Sequence, residues 1–401
     1  MRNDGQVGLH ERSLLVPTDG GTRRPSRGGM CRFEVRRLVY VITVVVAAVL
    51  PTGVAGQDMP PPPGSVVIGG EQGVLQLVET RRITLDESKS YLADVNSADF
   101  FEDGSFVVAS AKVARVVVYN ADGTQRLVLA GWGPGPEEYE APTLVRAVGS
   151  TVYVRDNKQH KYMAIDSTGV VLSEWYGHTS APDDFVVLGS WIISLNGQSF
   201  DYLIQGFDTS SADTLRAVPS SMEISSNHVM AGAGNFGLDA DQIHFAYPAE
   251  NAFQTFDLSD GSIRSTRLPS GGYKREEYPF NGYEDMNRSL FDGRLMHYAI
   301  RNSRTEGVHV LDDYIVALRA DGEIPMDTNV PAERLRNRKL FVHDRDLKLV
   351  DTFVVDYEML RVFGGIESAV YGNSIYYIVQ SSEDGGRSVR WTLYQFEIQG
   401  R

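Results

Sequence analysis

The stretch that most restricts what this chain can fold into is Gly131-Trp132-Gly133-Pro134-Gly135-Pro136-Glu137-Glu138-Tyr139-Glu140-Ala141-Pro142. Glycine reaches backbone angles closed to other residues, whereas proline fixes its own φ and lacks an N–H donor. Alternated, the two can continue neither a helix nor a central strand, so the segment is a tight, partly rigid connector. On its N-terminal side Phe106–Ser110, Arg115–Tyr119 and Gln125–Ala130 are β-rich runs, parted by turn residues such as Asn120-Ala121-Asp122-Gly123. Short strands joined by Asp-Gly turns form antiparallel meanders. On its C-terminal side come Val152-Tyr153-Val154-Arg155-Asp156-Asn157 and Ala164-Ile165-Asp166-Ser167-Thr168-Gly169, and looser variants of these flanks recur along the chain.

Read in order, the stretch is glycine-proline-glycine, an acid, an aromatic, a proline, a Tyr-Val-x-Asp strand and a strand ending in Asp-x-x-Gly. This order resembles the linker and blade pattern of NHL-type six-bladed β-propellers, including the secreted bacterial propeller proteins. Gly131, Gly133, Gly135, Glu138, Tyr139, Pro142, Tyr153, Val154, Asp156, Asp166 and Gly169 are the matching positions. The clean linker occurs once, while the blade half recurs over most of residues 70–401. The resemblance implies an all-β fold, a six-bladed β-propeller of four-stranded antiparallel blades. It leaves function open, because propellers host unrelated activities.

Aligning the turns lays out units at Ala98–Ala130, Leu144–Trp175, Phe185–Val218 and Gly237–Leu268, one that begins near Val308 and is closed by Leu347–Val355, and one at Ser368–Ile398. That spacing fits one propeller blade per four short strands. Ahead of them Gly73–Val78 and Arg81–Leu85 read as strands placed to complete the last blade and remove an exposed edge. Two segments exceed what a blade needs: Gly271–Asn302, with a short helix expected around Glu284–Phe291, and Ala320–Arg338. Insertions on a rigid scaffold are where β folds usually carry function; covering the barrel mouth is the plainer alternative.

Arg32, Arg36 and Arg37 precede an apolar run from Leu38 to Leu50, and small residues follow at Thr52–Gly56. Basic, apolar and small-residue regions in that order describe a secretory signal peptide, here residues 30–56 with cleavage before Gln57. The 13-residue apolar run is short of the roughly 20 residues that span a bilayer, so a retained signal-anchor is the alternative. Residues 1–29 read as an extension ahead of a true start at Met30, residues 57–70 as a spacer stiffened by Pro60–Pro63, and residues 71–401 as the propeller. The protein is expected to be exported, periplasmic or extracellular. Cys31 is the only cysteine and precedes the apolar run, so the cleaved chain offers no disulfide, no catalytic thiol and no thiolate metal site. Cleavage would turn a net charge of −14 into 30 basic against 48 acidic residues. That balance argues against nucleic acid, and against an anionic membrane beyond signal-peptide targeting, as partners.

Gly232, Gly234 and Gly237 have dinucleotide-loop spacing, but the strand Gln242–Tyr247 follows where a helix is required. The better account of these glycines is crowding of inner strands at a propeller axis. Neither Gly-x-Ser-x-Gly nor His-Glu-x-x-His occurs, and no histidine pair has local zinc spacing. No cofactor, no metal ligand and no catalytic residue is therefore assigned. Asp99, Asp156, Asp239, Glu250, Asp312 and Glu367 could converge on the axis around a divalent cation, as in sugar-lactone hydrolases of this shape, although the turn preference of aspartate favours plain capping. The leading functional reading is a module that binds a protein, peptide or glycan through Tyr273, Arg275, Tyr278, Phe280, Tyr283 and His297. Tyrosine beside arginine offers contact area and directed hydrogen bonds. The alternative is a metal-assisted hydrolase or lyase acting on a sugar-derived substrate at the central channel, and a third reading is an envelope scaffold.

Overall fold

Runs such as Phe106-Val107-Val108-Ala109 show none of the apolar-polar alternation of a sheet with one wet face. Their strands are buried on both faces, and the arrangement of sheets explains why. The structure, a computed structural model, describes residues 66–129, 131–177, 182–196, 202–211, 213–219, 236–246, 250–292, 294–321, 338–355, 367–383 and 388–401. The expected extension, the signal peptide, the spacer up to residue 65, Gly232, Gly234 and residues 322–337 of the second insertion lie outside the described residues.

Two strands come first, β1 (Val67–Gly69) and β2 (Leu75–Thr84). Blade 1 is β3 (Ser97–Phe100), β4 (Phe106–Ser110), β5 (Arg115–Tyr119) and β6 (Gln125–Leu129). The linker holds β7 (Gly131–Trp132) and β8 (Glu138–Tyr139). Blade 2 is β9 (Pro142–Val148), β10 (Thr151–Asp156), β11 (Lys161–Asp166) and β12 (Val171–Tyr176). Blade 3 is β13 (Asp184–Leu188), β14 (Trp191–Leu195), β15 (Tyr202–Asp208) and β16 (Thr214–Pro219). Blade 4 is β17 (Phe236–Asp239), β18 (Gln242–Ala246), β19 (Ala252–Asp257) and β20 (Ile263–Arg267). Blade 5 is β21 (Arg304–Val310), β22 (Ile315–Ala320), β23 (Arg338–His343) and β24 (Leu349–Val355). Blade 6 takes β25 (Glu367–Tyr371), β26 (Ser374–Glu383) and β27 (Ser388–Gly400) from the C-terminal end. Each blade pairs its strands antiparallel in chain order, first strand innermost, and the result is a six-bladed propeller.

No single core holds the ring; successive blades are glued by apolar layers between them. In β4, Phe106 and Val108 pack toward blade 6, while Val107 and Ala109 pack toward blade 2. Adjacent residues of a strand point to opposite faces, so a strand between two such layers must be apolar throughout. An outer strand that borders solvent reads differently: β20, Ile-Arg-Ser-Thr-Arg, is almost wholly exposed.

Blade 6 is completed by the chain's other end. Its sheet runs β1-β2-β27-β26-β25, with β2 and β27 in register from Leu75↔Gly400 to Thr84↔Thr392. The two strands expected at Gly73–Val78 and Arg81–Leu85 are one strand of 10 residues, bent by a β-bulge between Glu79 and Arg81. A buried carboxylate fastens its start. Asp351 Oδ1 accepts from the N–H of Gln72 and Thr352, each at 2.8 Å, and Oδ2 from Val74 at 3.0 Å and Leu75 at 2.8 Å. Burial pulls this carboxyl upward, but the four backbone donors outweigh it and hold it below the usual range.

Strand order within the blades fixes two unlike faces. The first-to-second and third-to-fourth connections emerge at one end, and these are short, from 149–150 and 189–190 to 258–262 and 344–348. Several are closed by an aspartate at the end of the third strand or just beyond it. Asp122, Asp166, Asp208 and Asp257 each accept both the N–H and the hydroxyl of the Ser or Thr two residues on. The hydroxyl bond leads in holding all four carboxyls low, Asp208 at about 2. The opposite end carries the long described connections 85–96, 131–141 and 268–303.

Candidate functional site

The six inner strands β3, β9, β13, β17, β21 and β25 enclose an axial cavity of about 250 Å3. Its wall is mostly small and apolar: a Cβ placed on Gly237 would stand 2.3 Å from Val310 Cγ2, so crowding demands glycine there. Four polar side chains interrupt that wall: Asp99, Arg146, Asp184 and His309. Arg146 forms an ion pair with the buried Asp184 and also donates to the Val145 carbonyl at 2.6 Å. Asp184 in turn accepts the N–H of Phe236 at 3.2 Å, tying blade 3 to blade 4. Asp99 accepts the N–H of Ala147 at 2.8 Å. Burial pushes its carboxyl up, opposed by Arg146 and by that N–H. His309 is buried, and desolvation lowers its pKa to about 4, so the imidazole is neutral at pH 7. The cavity therefore offers one paired cation, one carboxyl biased toward its neutral form and one neutral imidazole. Shifted titrating groups facing a common cleft mark a candidate site.

Of the loose cation candidates whose side chains are described, only Asp99 faces this cavity. Asp156 is a fastener: it accepts the N–H of Glu140 at 2.7 Å, Lys158 at 2.8 Å and Gln159 at 3.0 Å, and so docks the linker on blade 2. Asp239 pairs with Arg345 at 2.6 Å, and Glu250 accepts from Gln254 at 3.1 Å. Asp312 follows β21 on the short-connection side, and Glu367 begins β25. Among the described residues no group of three or more His, Cys, Asp or Glu is arranged to hold a metal ion.

The first insertion is a helical hairpin between blades 4 and 5. The helix expected at Glu284–Phe291 is α1 (Tyr283–Asp292), and a second helix not foreseen, α2 (Arg294–Arg301), follows it. Phe280, Met286, Leu295 and Tyr298 form a small buried core with Tyr278 against it. The three rings meet edge to face, Tyr278–Phe280 at 5.3 Å, Tyr278–Tyr298 at 5.7 Å and Phe280–Tyr298 at 5.9 Å. At the stem, Lys274 N–H donates to Ser303 Oγ at 2.9 Å and Ser303 N–H to the Lys274 carbonyl at 2.8 Å. The fully buried Arg319 pairs with the adjacent Asp321 at 2.7 Å and reaches across from blade 5 to Asn251 at 2.8 Å and the Gly271 carbonyl at 2.5 Å.

The structure thus brings Tyr278 and Phe280 together inside the hairpin. Tyr273 lies at the stem with the Arg319 guanidinium 5.8 Å from its ring centroid, and half-buried Arg275 neighbours its hydroxyl. Tyr283 and His297 belong to α1 and α2, and their side chains fall outside the description. Outward on the hairpin stand Lys274, Glu276, Glu277, Glu284, Arg288 and Arg301.

No protein-family model matches the chain, and no curated protein matches it at a significant level. Solved structures do. A DUF4221-family member from Bacteroides vulgatus superposes with a TM-score of 0.60 at 13% identity, covering 82% of this chain and 100% of the other. A Bacteroides fragilis protein described as exported gives 0.56 at 11% identity, covering 83% and 97%. What is shared at this distance is the propeller fold.

Sequence reading passed over Arg146, Asp184, His309 and Arg319. A signal was present for the first three: each is a lone polar residue in or at the edge of an apolar first strand of a blade, as in Leu-Val-Arg-Ala-Val and Val-His-Val. Such a residue must find a partner at the axis, because burying it unpaired is costly. Arg319 is the next-to-last residue of an apolar second strand and could not be told from a surface arginine without its distant carbonyl partners.

Proposed function

We propose that this chain is an exported propeller of the NHL type that acts as a binding module, taking a protein, peptide or glycan ligand on the face of long connections. The observation that carries the reading is the inequality of the two faces. One is closed by short, aspartate-capped hairpins; the other gathers the long connections among the described residues, including a helical hairpin with its own core and a braced stem. Rigid presentation of an insertion lowers the ordering cost of binding. Export to the periplasm or beyond is supported by the character of residues 30–56 and by the exported Bacteroides fragilis neighbour. The contact surface is the hairpin's outward side, with Arg275, Tyr283 and His297 as its expected contributors and Tyr273, Tyr278 and Phe280 as its supports.

The test is excision. Residues 277–300 are replaced by a short Gly-Ser bridge between the hydrogen-bonded segments at Lys274 and Ser303, and both proteins are screened on peptide and glycan arrays. Capture by the parent and its loss in a variant that keeps its melting temperature supports the reading; undiminished capture removes the hairpin from it. A second reading, a hydrolase or lyase acting on a sugar-derived substrate, is favoured by Asp99 and His309 facing one cavity with opposed shifts. It predicts turnover that Asp99→Asn and His309→Gln abolish and that hairpin excision spares; a melting-temperature rise with calcium or manganese would add the metal to it.

A further inference from the structure

Across the ring from the helical hairpin, blade 1 and its two flanking connections border an open groove of about 860 Å3. Two large aromatic residues on its wall are turned outward, Tyr91 at 64% and Trp132 at 67% exposure. Lys89, Lys112 and Arg115 line the same groove. On a chain of net charge −14 this is a local reversal of sign.

Exposed apolar side chains are ordinarily scattered singly, yet these two share one groove and are held from behind. Tyr91 sits between residues pinned by buried groups. The Ser90 carbonyl accepts from the buried Gln125 amide at 2.9 Å, and the Leu92 carbonyl accepts from the buried Trp391 indole at 3.0 Å. Leu92 N–H also donates to Glu87 at 2.7 Å. Trp132 lies on β7, paired in parallel with β8 at Trp132↔Tyr139. The Tyr139 hydroxyl donates to the Leu129 carbonyl and accepts the Val116 N–H at 3.1 Å. Glu138 Oε2 accepts the Gly135 N–H at 2.9 Å. Lys112 lies in the turn after β4, where Asp94 accepts from Ser110 Oγ at 2.6 Å and from the Lys112 N–H at 3.1 Å. The nearby carboxylates Asp86, Glu87 and Asp94 are thus occupied by backbone and hydroxyl donors. Lys89 Nζ donates to the Gln125 carbonyl at 3.1 Å and Arg115 to the Ala114 carbonyl at 3.3 Å, both neutral acceptors, and no ion pair of Lys89, Lys112 or Arg115 appears among the described residues.

We propose that this groove binds a strand of acidic polysaccharide, with pyranose rings stacked on Tyr91 and Trp132 and uronate carboxylates met by Lys89, Lys112 and Arg115. The electron-rich face of an aromatic ring receives C–H groups, and the C–H face of a pyranose is such a partner. An acidic peptide would meet the same cations. Peptide and protein anchors, however, work by sinking into desolvated pockets, whereas here both rings are displayed as open platforms. Fixing them in advance removes the ordering cost that otherwise weakens a shallow site.

The test titrates the full chain with hexagalacturonate, neutral maltohexaose and a hexaglutamate peptide by calorimetry. Hexagalacturonate binds, and binds more weakly as salt rises. Tyr91→Ala and Trp132→Ala each weaken it at least tenfold, Lys112→Glu does likewise, and Trp132→Phe retains affinity within a few-fold. Because all these side chains face solvent, melting temperatures hold, and excision of residues 277–300 leaves this binding intact. The proposal is overturned if hexagalacturonate does not bind at millimolar concentration, if the Tyr91→Ala/Trp132→Ala double variant binds as the parent does, or if maltohexaose or the peptide binds as tightly.

Discussion

Closure of the ring rests on Asp351, and its replacement should expose how the propeller is held shut. Asp351→Ala removes the acceptor of four N–H groups. Those of Gln72 and Val74 lie in an exposed turn, where water replaces the carboxylate. Those of Leu75 and Thr352 do not: both residues are 2% exposed. A buried donor left without a partner costs roughly 1–3 kcal/mol, so the two together cost about 2–6 kcal/mol. Against a typical total stability of about 5–15 kcal/mol that is a large loss. Gly70→Ala is the complementary perturbation, since a Cβ there would stand 2.1 Å from the Asp351 carboxyl carbon and displace it without deleting it. The pH dependence has a definite sign. The folded carboxyl titrates below its unfolded value of about 3.9, so its contribution is full above that value and is lost as pH falls through the folded pKa. Guanidinium melts of the parent and both variants at pH 7 and pH 3, with hydrogen exchange at Leu75, make the measurement. Both variants should be destabilised at pH 7, and their deficit relative to the parent should shrink at pH 3. An Asp351→Ala variant within about 0.5 kcal/mol of the parent at pH 7 would refute the clamp, because surface substitutions cost that little.

Tyr139→Phe strips the linker of the hydroxyl that joins Leu129 to the buried Val116 N–H, and should cost about 1–3 kcal/mol in a denaturant melt; an unchanged midpoint contradicts that role. Arg319→Lys replaces a planar fork with a point charge that cannot reach Asp321, Asn251 and the Gly271 carbonyl together. Limited proteolysis within 271–302 should then quicken at least tenfold, and equal cleavage rates would show that the stem does not depend on it. His309 titrates in the fold at about 4, below its ordinary 6.5, so the unfolded chain binds its proton first as pH falls. Stability should therefore decline from pH 6.5 toward 4 and level off below that range, and His309→Gln should flatten this part of the profile when melts are compared across it.

How far the sequence could be read follows from what each residue depends on. The Gly-Pro linker, the Asp-terminated third strands and the doubly apolar middle strands are set by local backbone angles and by burial on both faces, and these local rules led to the blades and to the closing strand. In sequence the single β2 looks like two strands because the polar Glu79-Thr80 at its bulge interrupts the apolar run. Tyr278 and Phe280 look like contact residues in sequence because an aromatic-rich insertion shows no period; only the pairing of α1 with α2 makes them a core. The axial groups Arg146, Asp184 and His309 come from three different blades, and their meeting depends on ring geometry that no local pattern records.

The most direct test of the account is a hydrogen-exchange footprint of the propeller with and without whichever ligand the arrays capture. Ligand contact on the face of long connections predicts protection gathered in 85–96, 130–141 and 268–303, with the hairpins at 120–124, 167–170, 258–262 and 344–348 unchanged. Protection confined to those short hairpins, or to the outer strands alone, would contradict it.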